Sequence, residues 1–429
     1  MGIIGLGYVG LPLAAAFHRA GFRVLGFDID RSKIEMLDRG ENYIKHMGQD
    51  VTRELAASGR FSSTTDFTRL GEPDVVIVCV PTPLGKHREP DLSYVVRSGQ
   101  DIGKCLRSGQ LIVLESTTYP GTTRGDFLPA MLGARSPGAA ALESGKDFFV
   151  AFSPEREDPG RKSHNTKTTP KLVGGLDHDA GKLATMLYQC AIDSVVHVSS
   201  AEVAEAAKIL ENTFRAVNIA MVNELKVLFT EMGIDVWEVI DAAATKPFGF
   251  MPFYPGPGLG GHCIPIDPFY LTWKAREVGR PTRFIELAGE VNHSMPEYVV
   301  ARITGALNAR AKAVSGSRIL VLGLAYKPDI DDVRESPSFE LIEKLESLGA
   351  HVDYNDPHVP RTSPMRRYDL GMASVPISPE TLRSYDAVVV STNHAAYDWQ
   401  VIADNAKLVV DTRNAMRNVT GSRDHIVRA

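Results

Sequence analysis

The first thirty residues, MGIIGLGYVGLPLAAAFHRAGFRVLGFDID (1–30), decide how this chain begins to fold. Gly5, Gly7 and Gly10 form the spacing G-x-G-x-x-G between a short apolar run and a helical pattern. The first glycine permits a tight turn, the second lets the backbone approach a pyrophosphate, and the third lets helix and strand pack closely. Asp28 ends the next apolar run, where a carboxylate can accept hydrogen bonds from ribose hydroxyls and would repel a 2′-phosphate. The stretch therefore predicts a Rossmann unit that binds NAD rather than NADP.

Short apolar runs alternate with amphipathic stretches in two parts of the chain. The first set of runs lies at 2–7, 23–30, 74–80, 110–116 and 147–154, and the second at 317–328, 351–357, 386–392 and 406–413. Such alternation is typical of parallel strands covered by helices on both faces. The second set has Gly323 after its first run but lacks the other glycines, which indicates a dinucleotide-type fold used for a ligand other than NAD.

A long helical pattern from Ala201 to about Met232 separates the two sets. Residues 247–268 then hold six prolines and five glycines, which predicts a loop. We therefore predict an α/β protein with two Rossmann-like doubly wound domains, joined by a long central helix and a small helical domain. The predicted domains are residues 1–200, 201–300 and 301–429.

Composition limits the kinds of partner. The chain has 429 residues, enough for two or three domains, and 47 basic against 52 acidic residues give a net charge of −5. A mildly acidic protein has no general attraction for nucleic acid or for an anionic membrane surface, so neither is expected as a partner. No apolar run approaches the roughly 20 residues that span a bilayer, and no signal-peptide pattern opens the chain. The four cysteines are scattered, so we expect neither disulfides nor a metal site, and a cytoplasmic location.

Several polar residues are candidates for chemistry. Cys263 lies in a glycine- and proline-rich loop, where amide groups can lower a thiol pKa, but a small buried hydrophobe explains it equally well. A dyad with His262 is disfavoured because adjacent residues of an extended loop usually point in opposite directions. Lys208 and Asn212 stand i, i+4 and share one helix face, which for an unassisted pair is more often a solvated face. Glu155 follows a predicted buried strand at its carboxyl end, where α/β sheets place ligands.

Seven motifs, which follow one another along nearly the whole chain, resemble those of one family. They are GLGYVGLPLA (5–14), CVPTPL (79–84), ESTTYPGTT (115–123), FSPERE (152–157), KILENTFRAVNIAMVNE (208–224), GPGLGGHCIPID (256–267) and GLAYKPDIDDVRESP (323–337). The family is that of the nucleotide-sugar 6-dehydrogenases, which includes UDP-glucose and UDP-N-acetylhexosamine dehydrogenases. The stretch 245–277 resembles in particular the UDP-N-acetylglucosamine 6-dehydrogenase branch.

The resemblance implies a four-electron oxidation of the sugar C6 hydroxyl to a carboxylate with two NAD⁺. Cys263 would be the nucleophile that traps the aldehyde as a thiohemiacetal and then carries a thioester. Lys208 and Asn212 would hold the oxygen on C6 and the attacking water, and Glu155 would be the general acid/base. The water-positioning residues would be Thr117 and Asp267. Family members form dimers through the central helices, so a homodimer or higher homo-oligomer is expected.

The resemblance also assigns two sets of binding residues. For the cofactor they are Gly5, Gly7, Tyr8, Val9, Gly10, Asp28, Lys33, Val80, Pro81, Thr82, Thr117 and Arg334. For the substrate they are Glu155, Lys208, Asn212, Tyr254, Gly260 and Lys327. Without the resemblance, Lys327 and Arg334 would be interpreted as members of surface salt bridges.

Two departures from the glucose-type pattern affect the predicted substrate. Ile266 replaces a lysine before the loop aspartate, and glucose-type members place an arginine lent by the neighbouring subunit in the region that is Lys246-Pro247-Phe248 here. The first departure weakens a prediction of UDP-glucose alone, and at the second Phe248 would make room for an N-acetyl group. The predicted substrate is UDP-N-acetylglucosamine, with UDP-glucose, UDP-N-acetylmannosamine and dTDP-glucose as alternatives. A two-electron hydroxyacid dehydrogenase would need no cysteine, and a regulatory NAD-binding protein would not need the full set of polar residues. Because the predicted first strand is short, a trimmed N-terminus is an alternative.

Overall fold

A computed structural model describes residues 1–44, 47–85, 89–156, 167–261, 264–365 and 368–429. The chain divides into two compact units. The first unit comprises Met1–Glu211 and Phe269–Pro281, and the second comprises Asn212–Pro268 and Thr282–Ala429. The predicted domain boundaries at 200 and 300 stay a prediction.

The first unit is built on an eight-stranded sheet. In chain order its strands are β1 (Gly2–Ile4), β2 (Val24–Phe27), β3 (Phe61–Thr64), β4 (Val75–Val78), β5 (Leu111–Leu114), β6 (Phe149–Phe152), β7 (Lys171–Gly175) and β8 (Val195–His197). Their spatial order is β3-β2-β1-β4-β5-β6-β7-β8, and every pairing is parallel except that of β6 with β7. The order 3-2-1-4-5-6 is that of a dinucleotide-binding fold, so the predicted Rossmann unit is confirmed.

Helices cover both faces of this sheet. They are α1 (Gly10–Arg19), α2 (Arg31–Asp38), α3 (Gln49–Ala57), α4 (Ser93–Cys105), α5 (Leu128–Gly133) and α6 (His178–Gln189). Neighbouring strand residues alternate between two cores: Ile3 packs in the cluster that contains Phe17 of α1, and Ile4 in the cluster that contains Ile102 of α4. Burial on both faces explains why the strands are apolar at successive positions.

Four helices follow the first sheet: α7 (Ala201–Glu231), α8 (Val236–Ala244), α9 (Asp267–Glu277) and α10 (Arg283–Asn308). The predicted long helix is confirmed as α7, within one residue at its carboxyl end. Between α8 and α9 the described residues form no helix or strand, as the prolines and glycines predict. Both α7 and α9 contain a boundary between the two units.

The second unit contains a five-stranded sheet. Its strands are β9 (Arg318–Leu322), β10 (His351–Asn355), β11 (Ala387–Val390), β12 (Val409–Asp411) and β13 (Ile426–Arg428), in the spatial order β10-β9-β11-β12-β13 and all parallel. Helices α11 (Pro337–Ser347), α12 (Pro379–Ser384) and α13 (Trp399–Asn405) complete it. Numbered from β9 the order is 2-1-3-4-5, the other common doubly wound arrangement, so the predicted fold class is confirmed. Among the described residues, no helix combines the length and the hydropathy needed to cross a bilayer.

Candidate active site

The glycine loop joins β1 to α1 and shows why each glycine is present. Gly5 has φ +87°, and a Cβ there would lie 2.5 Å from the carbonyl oxygen of Cys79. A Cβ on Gly10 would lie 1.9 Å from the carbonyl oxygen of Gly5. Gly7, in contrast, faces open space, because a Cβ there would meet no atom of the described residues within 4 Å. The protein's own packing therefore requires Gly5 and Gly10, whereas Gly7 leaves room for a ligand beside the backbone.

The amino end of α1 fits the phosphates of NAD. Val9, the residue before the helix, provides no side-chain hydrogen bond to the first amides of α1. Amides at a helix start attract an anion because the helix dipole is positive there. Open space at Gly7 next to an uncapped helix start is what a dinucleotide pyrophosphate requires. Tyr8 on the same turn is partly exposed.

Asp28 follows β2 and is almost fully buried. One of its oxygens accepts from the amide of Leu6 at 2.9 Å, and the other accepts from the amide of Asp30 at 2.9 Å. The ammonium group of Lys33 lies 3.3 Å from the first oxygen, so two of the residues predicted to bind the cofactor are in contact. A carboxylate has about four acceptor sites, so Asp28 retains capacity for a ribose hydroxyl.

Tyr43 braces the glycine loop in a way that the sequence analysis did not find. Its hydroxyl donates to the carbonyl oxygen of Leu6 at 2.6 Å. Burial and then the nearby Asp28 raise the pKa of the Tyr43 phenol well above its ordinary value, so it remains a donor. Leu6 is thus held from both sides, through its amide by Asp28 and through its carbonyl by Tyr43. A tyrosine in a polar stretch carries no signal for this role.

The carboxyl ends of β4 and β5 are joined by Ser116. Its hydroxyl donates to the carbonyl of Val80 at 2.7 Å and accepts from the amide of Val80 at 3.0 Å. This reciprocal pair brings together the segments that contain the predicted residues Val80, Pro81, Thr82 and Thr117. Thr117 is half-buried, whereas the hydroxyl of its neighbour Thr118 is buried and has no hydrogen-bond partner among the described residues. An unpartnered hydroxyl at a strand end makes Thr118 a candidate that the sequence analysis did not select.

Glu155 follows β6 and lies beside a buried ion pair. The ammonium group of Lys171 is 2.7 Å from one oxygen of Glu115 and 3.6 Å from one oxygen of Glu155. The side chain of Glu155 is 17% exposed, whereas that of Glu115 is fully buried. Tyr188 of α6 donates its hydroxyl to the second oxygen of Glu115. The strand end therefore carries a charged network of which only Glu155 was predicted.

Cys79 lies close to this network, and its environment distinguishes it from a nucleophile. Burial raises the pKa of its thiol well above the ordinary value, and the charge of Glu115 raises it further. A thiol that stays protonated is a poor nucleophile. The described cysteines of the first unit thus include no candidate to replace Cys263, because Cys105 also has a raised pKa through burial and Cys190 is exposed outside this region.

On α7, Lys208 and Asn212 stand one turn apart and are both buried. They therefore do not belong to a solvated helix face. Asn212 donates its side-chain amide to a carboxylate oxygen of Asp267 at 2.5 Å, and Asp267 is the first residue of α9 and 3% exposed. The structure thus brings together two residues that the resemblance assigned to one site.

The loop before Cys263 is anchored at two glycines in the second unit. The amide of Gly256 donates to the side-chain oxygen of Asn223 at 3.0 Å, and the amide of Gly261 donates to the carbonyl of Arg334 at 3.0 Å. Asn223 is fully buried, so it is a polar residue of the core that holds this loop. A Cβ on Gly260 would lie 2.5 Å from Cβ of Tyr326, so this predicted substrate residue packs closely against the segment that carries Lys327.

The remaining predicted residues of this unit have the following places. Arg334 forms a two-pronged ion pair with Asp332, with nitrogen–oxygen distances of 2.9 and 2.6 Å. Lys327 is half-buried. Tyr254 donates its hydroxyl to Asp241 at 2.7 Å. Cys263 and its neighbour His262 lie outside the described residues.

Asp329, His358 and His394 offer ligand atoms within 4.8 Å of one another, but His394 is already engaged. Its Nδ1 accepts from the amide of Asp329 at 2.9 Å, and its Nε2 lies 3.0 Å from a carboxylate oxygen of Asp356. A histidine with both ring nitrogens in hydrogen bonds has no lone pair left for a metal. The cluster therefore braces a loop.

Comparison with known proteins assigns three parts of the chain to one family. Residues 1–192 match the NAD binding domain of the UDP-glucose/GDP-mannose dehydrogenase family, residues 202–294 its central domain and residues 320–418 its UDP binding domain. A UDP-N-acetyl-D-glucosamine 6-dehydrogenase of Pseudomonas aeruginosa is 37% identical over 92% of this chain and 90% of its own. A UDP-N-acetyl-D-mannosamine dehydrogenase of Pyrococcus horikoshii is 32% identical over 97% of this chain and 95% of its own.

The fold agrees with these relatives. A solved structure of a UDP-D-ManNAc dehydrogenase from Pyrococcus horikoshii superposes with a TM-score of 0.87 and 31% identity, covering 100% of this chain and 99% of that one. The glycine loop and Asp28 fit the cofactor that the family uses. The chain therefore belongs to the UDP-glucose/GDP-mannose dehydrogenase family and is an NAD-dependent nucleotide-sugar dehydrogenase.

Proposed function

We propose that this enzyme oxidises the C6 hydroxyl of UDP-N-acetylglucosamine to a carboxylate, with two NAD⁺ and one water consumed per sugar. The observation that carries this proposal is the buried hydrogen bond between Asn212 and Asp267. Asn212 lies one helical turn from Lys208, which is also buried. Burying an amide, a carboxylate and an ammonium group costs free energy unless a ligand or a partner uses them. The relative named UDP-N-acetyl-D-glucosamine 6-dehydrogenase supports the choice of sugar.

We assign the following chemical roles to residues of the chain. NAD, held by the glycine loop and Asp28, would supply the hydride acceptor for both oxidation steps. Lys208 stabilises the developing negative charge on the C6 oxygen, and Glu155 accepts the hydroxyl proton. The Cys263 thiolate adds to the aldehyde carbon, so a carbon–sulfur bond forms and the carbonyl electron pair moves to oxygen as a thiohemiacetal.

The second hydride transfer leaves a thioester on Cys263, which water then hydrolyses. Water forms the new carbon–oxygen bond, the carbon–sulfur bond breaks, and the thiolate is regenerated. Asp267, held by Asn212, and Thr117 would orient this water, and the orphan hydroxyl of Thr118 suits the same task. The balance is one alcohol, one water and two NAD⁺ to one carboxylate, two NADH and three protons.

The choice among sugars rests on two side chains in this proposal. Phe248 is 70% exposed, and Ile266 is buried before Asp267. Neither carries the charge that the glucose-type pattern has at these places, which leaves room for an N-acetyl group. UDP-N-acetylmannosamine is the second candidate, because the relatives that match include dehydrogenases of that name.

The decisive experiment is the NADH yield per sugar with each candidate sugar nucleotide limiting and NAD⁺ in excess. We expect two NADH per UDP-N-acetylglucosamine, and Cys263→Ser should abolish this yield while NAD binding persists. One NADH per sugar, or a Cys263→Ser variant as active as the wild type, would identify a two-electron alcohol dehydrogenase. Turnover of only UDP-N-acetylmannosamine, UDP-glucose or dTDP-glucose would replace the proposed substrate.

We also propose that the enzyme is a cytoplasmic homodimer that pairs through α7. Large apolar side chains stay exposed along this helix, at spacings of four and seven residues: Val203 44%, Leu210 67%, Phe214 47%, Met221 48% and Leu228 48%. A contiguous apolar stripe of this kind marks an interaction surface, and a second copy would cover it. Sedimentation equilibrium should give twice the chain mass, and Leu210→Glu should give the chain mass. Leu183→Glu on α6 is the matched control, and it should remain dimeric.

A further inference from the structure

We propose that Glu205 is a positioning residue that ties α7 to the loop after β5, so that the ammonium group of Lys208 is held in place for the oxygen on C6. This inference rests on the proposed function, because it takes Lys208 as the residue that stabilises negative charge on that oxygen. Glu205 lies outside the seven motifs and is not among the residues predicted for the site.

Glu205 holds the loop that follows β5. Its side chain is fully buried, and one of its oxygens accepts from the amide of Gly121 at 2.6 Å. The other oxygen accepts from the amide of Thr123 at 2.9 Å and from the hydroxyl of the same residue at 2.6 Å. Thr117, a predicted water-positioning residue, belongs to this loop. Three hydrogen bonds from one carboxylate therefore join α7 to the loop that carries Thr117.

The geometry of these bonds requires a carboxylate. Both oxygens accept from backbone amides, whereas a glutamine would place its NH₂ group against one of those donors. Thr123 also begins the helical turn Thr123–Phe127 that leads into α5, where negative charge is favourable. Burial raises the pKa of Glu205 to about 7, although the bonds from Thr123 and Gly121 act in the opposite direction. The group is therefore ionised in mildly alkaline solution.

A second tie holds α7 six residues further along. Arg156, which follows β6, forms a two-pronged ion pair with Glu211 of α7 and donates to the carbonyl of Pro170 at 2.9 Å. Pro170 directly precedes β7. The side chains of this ion pair are 25% and 37% exposed, so water competes for it more than for the bonds of Glu205. Glu205 is thus the stronger of the two ties.

Lys208 lies between the two ties, three residues after Glu205 and three before Glu211. Residues at this spacing share one face of a helix, so the face that is tied to the sheet is also the face that carries Lys208. The Lys208 residue is 7% exposed. Loss of the Glu205 tie would leave Lys208 in the chain but would shift its ammonium group relative to the strand ends. A displacement of about 1 Å at a reacting centre can cost up to about 10²-fold in rate.

The first test is the steady-state kinetics of Glu205→Gln with UDP-N-acetylglucosamine at pH 8.5. We expect kcat to fall at least about tenfold, because Lys208 is misplaced. KM for the sugar nucleotide and Kd for NAD⁺ should stay within about twofold, because the substitution removes no group assigned to either ligand. Glu202→Gln is the matched control. Glu202 lies one turn earlier on α7 and pairs with Arg124 at 2.7 Å, but its side chain is 33% exposed, so kcat should stay within about twofold.

A double-mutant cycle shows whether Glu205 acts through Lys208. The measured quantity is the single-turnover rate of the first NADH formed, in the wild type, Glu205→Gln, Lys208→Ala and the double variant. Once the Lys208 side chain is absent, its placement no longer affects the rate. Glu205→Gln should therefore slow Lys208→Ala by no more than about twofold. A purely structural role would slow both backgrounds by the same factor.

Wild-type kcat in a folded Glu205→Gln variant, or equal slowing in the two backgrounds, would overturn the inference. If Glu205→Gln does not fold, Thr123→Val decides, because it removes only the hydroxyl bond at 2.6 Å. It should lower kcat by a smaller factor and only when Lys208 is present, and any other result would overturn the inference. Wild-type enzyme that fails to give two NADH per sugar, or Lys208→Ala with the wild-type rate, would instead overturn the proposed function.

Discussion

The two units begin with the same loop arrangement, but the aspartate that holds the loop has different hydrogen bonds in each. In each, a glycine follows the first strand with a left-handed φ, +87° at Gly5 and +85° at Gly323, and the residue after it donates its amide to an aspartate beyond the second strand. That aspartate is Asp28 in the first unit and Asp356 in the second. The loop after the first strand is therefore braced by the same residue type at corresponding places.

The two aspartates differ in how many hydrogen bonds each carboxylate accepts from the protein. Asp356 accepts four backbone amides, those of Leu324, Ala325, His358 and Val359, and also contacts Nε2 of His394. Its acceptor sites are thus filled from within the protein. Asp28 accepts two amides and contacts Lys33. The comparison teaches that the acid is a structural brace in both units and retains capacity for a ribose only in the first.

The largest expected effect is on stability, from Asp356→Asn. Burial raises the pKa of Asp356, but the hydrogen bond from His394 and those from the backbone lower it more, so the group is ionised at neutral pH. Its bonds are charge-assisted, and placing an amide NH₂ among these donors should cost about 4 kcal/mol. Asp28→Asn should cost about 1–2 kcal/mol, since it removes fewer such bonds.

Hydrogen exchange resolved by peptide measures this difference in each unit separately. Peptides covering residues 318–326 should lose protection in Asp356→Asn, and those covering residues 1–8 should keep it. Asp353→Asn on the neighbouring strand is the control, because that side chain is 41% exposed. Equal losses from Asp28→Asn and Asp356→Asn would show that the two braces do not differ.

A smaller effect should separate two glycines of the first loop. Gly10→Ala places a methyl group 1.9 Å from a backbone oxygen, so it should destabilise the first unit by about 2–3 kcal/mol. Gly7→Ala meets no atom of the described residues, so the free energy of unfolding should stay within about 0.5 kcal/mol. We expect NAD affinity to fall at least about tenfold, or 1.4 kcal/mol, because the methyl group occupies the space for the pyrophosphate. Titration calorimetry with NAD⁺ measures this affinity. Unchanged affinity in Gly7→Ala would show that the pyrophosphate binds elsewhere.

The smallest effect concerns the second unit's own buried lysine, which contrasts with Lys171. Lys226 is 1% exposed, and its ammonium group has no hydrogen-bond partner among the described residues. It lies 5.8 Å from the ring centre of Trp237 and 5.5 Å from that of Tyr298. Burial, and then repulsion by Arg413, lowers the pKa of Lys226 to about 7. Lys171 of the first unit is thus paired with a carboxylate, whereas Lys226 contacts no counter-charge among the described residues of the second unit.

This contrast predicts an unusual dependence of stability on pH. Above pH 7 the folded protein releases the Lys226 proton while the unfolded chain keeps it up to about pH 10. The unfolded state then binds more protons, so raising the pH favours the folded state. From pH 7 to 8.5 the free energy of unfolding should rise by about 1–2 kcal/mol more in the wild type than in Lys226→Met. Urea unfolding at both pH values measures this, and parallel changes in the two proteins would contradict it.

The sequence predicted the features that depend on neighbouring residues. The glycine spacing, the acid after the second strand and the long helix are local patterns, and all three are in place. Four of the described strands were missed, and two of them, β8 and β13, have only three residues each. The strands β3 and β7 were missed because FSST (61–64) contains one apolar side chain and KLVGG (171–175) ends in two glycines. Neither segment has an apolar run long enough to stand out from a loop.

The site was only partly predictable because its contacts join distant positions. Glu115 and Lys171 are 56 positions apart, and each alone resembles a surface charge at a strand end. Only the strand order, with β6 between β5 and β7, brings them together. Tyr43 was missed for the same reason, since its partner Leu6 is 37 positions away. The role of Cys263 stays a prediction, because that residue lies outside the described part of the chain.

The bond from Leu6 to Asp28 has a consequence for cofactor engineering and for evolution. Replacing the acid after the second strand of a Rossmann unit removes its repulsion of a 2′-phosphate, which favours NADP. In this enzyme the same substitution also removes an acceptor from the glycine loop. Cofactor preference and loop stability are therefore coupled through one carboxylate. A change of cofactor preference would need a new hydrogen-bond acceptor for the Leu6 amide. A single substitution of Asp28 would remove the repulsion of the 2′-phosphate but would destabilise the glycine loop.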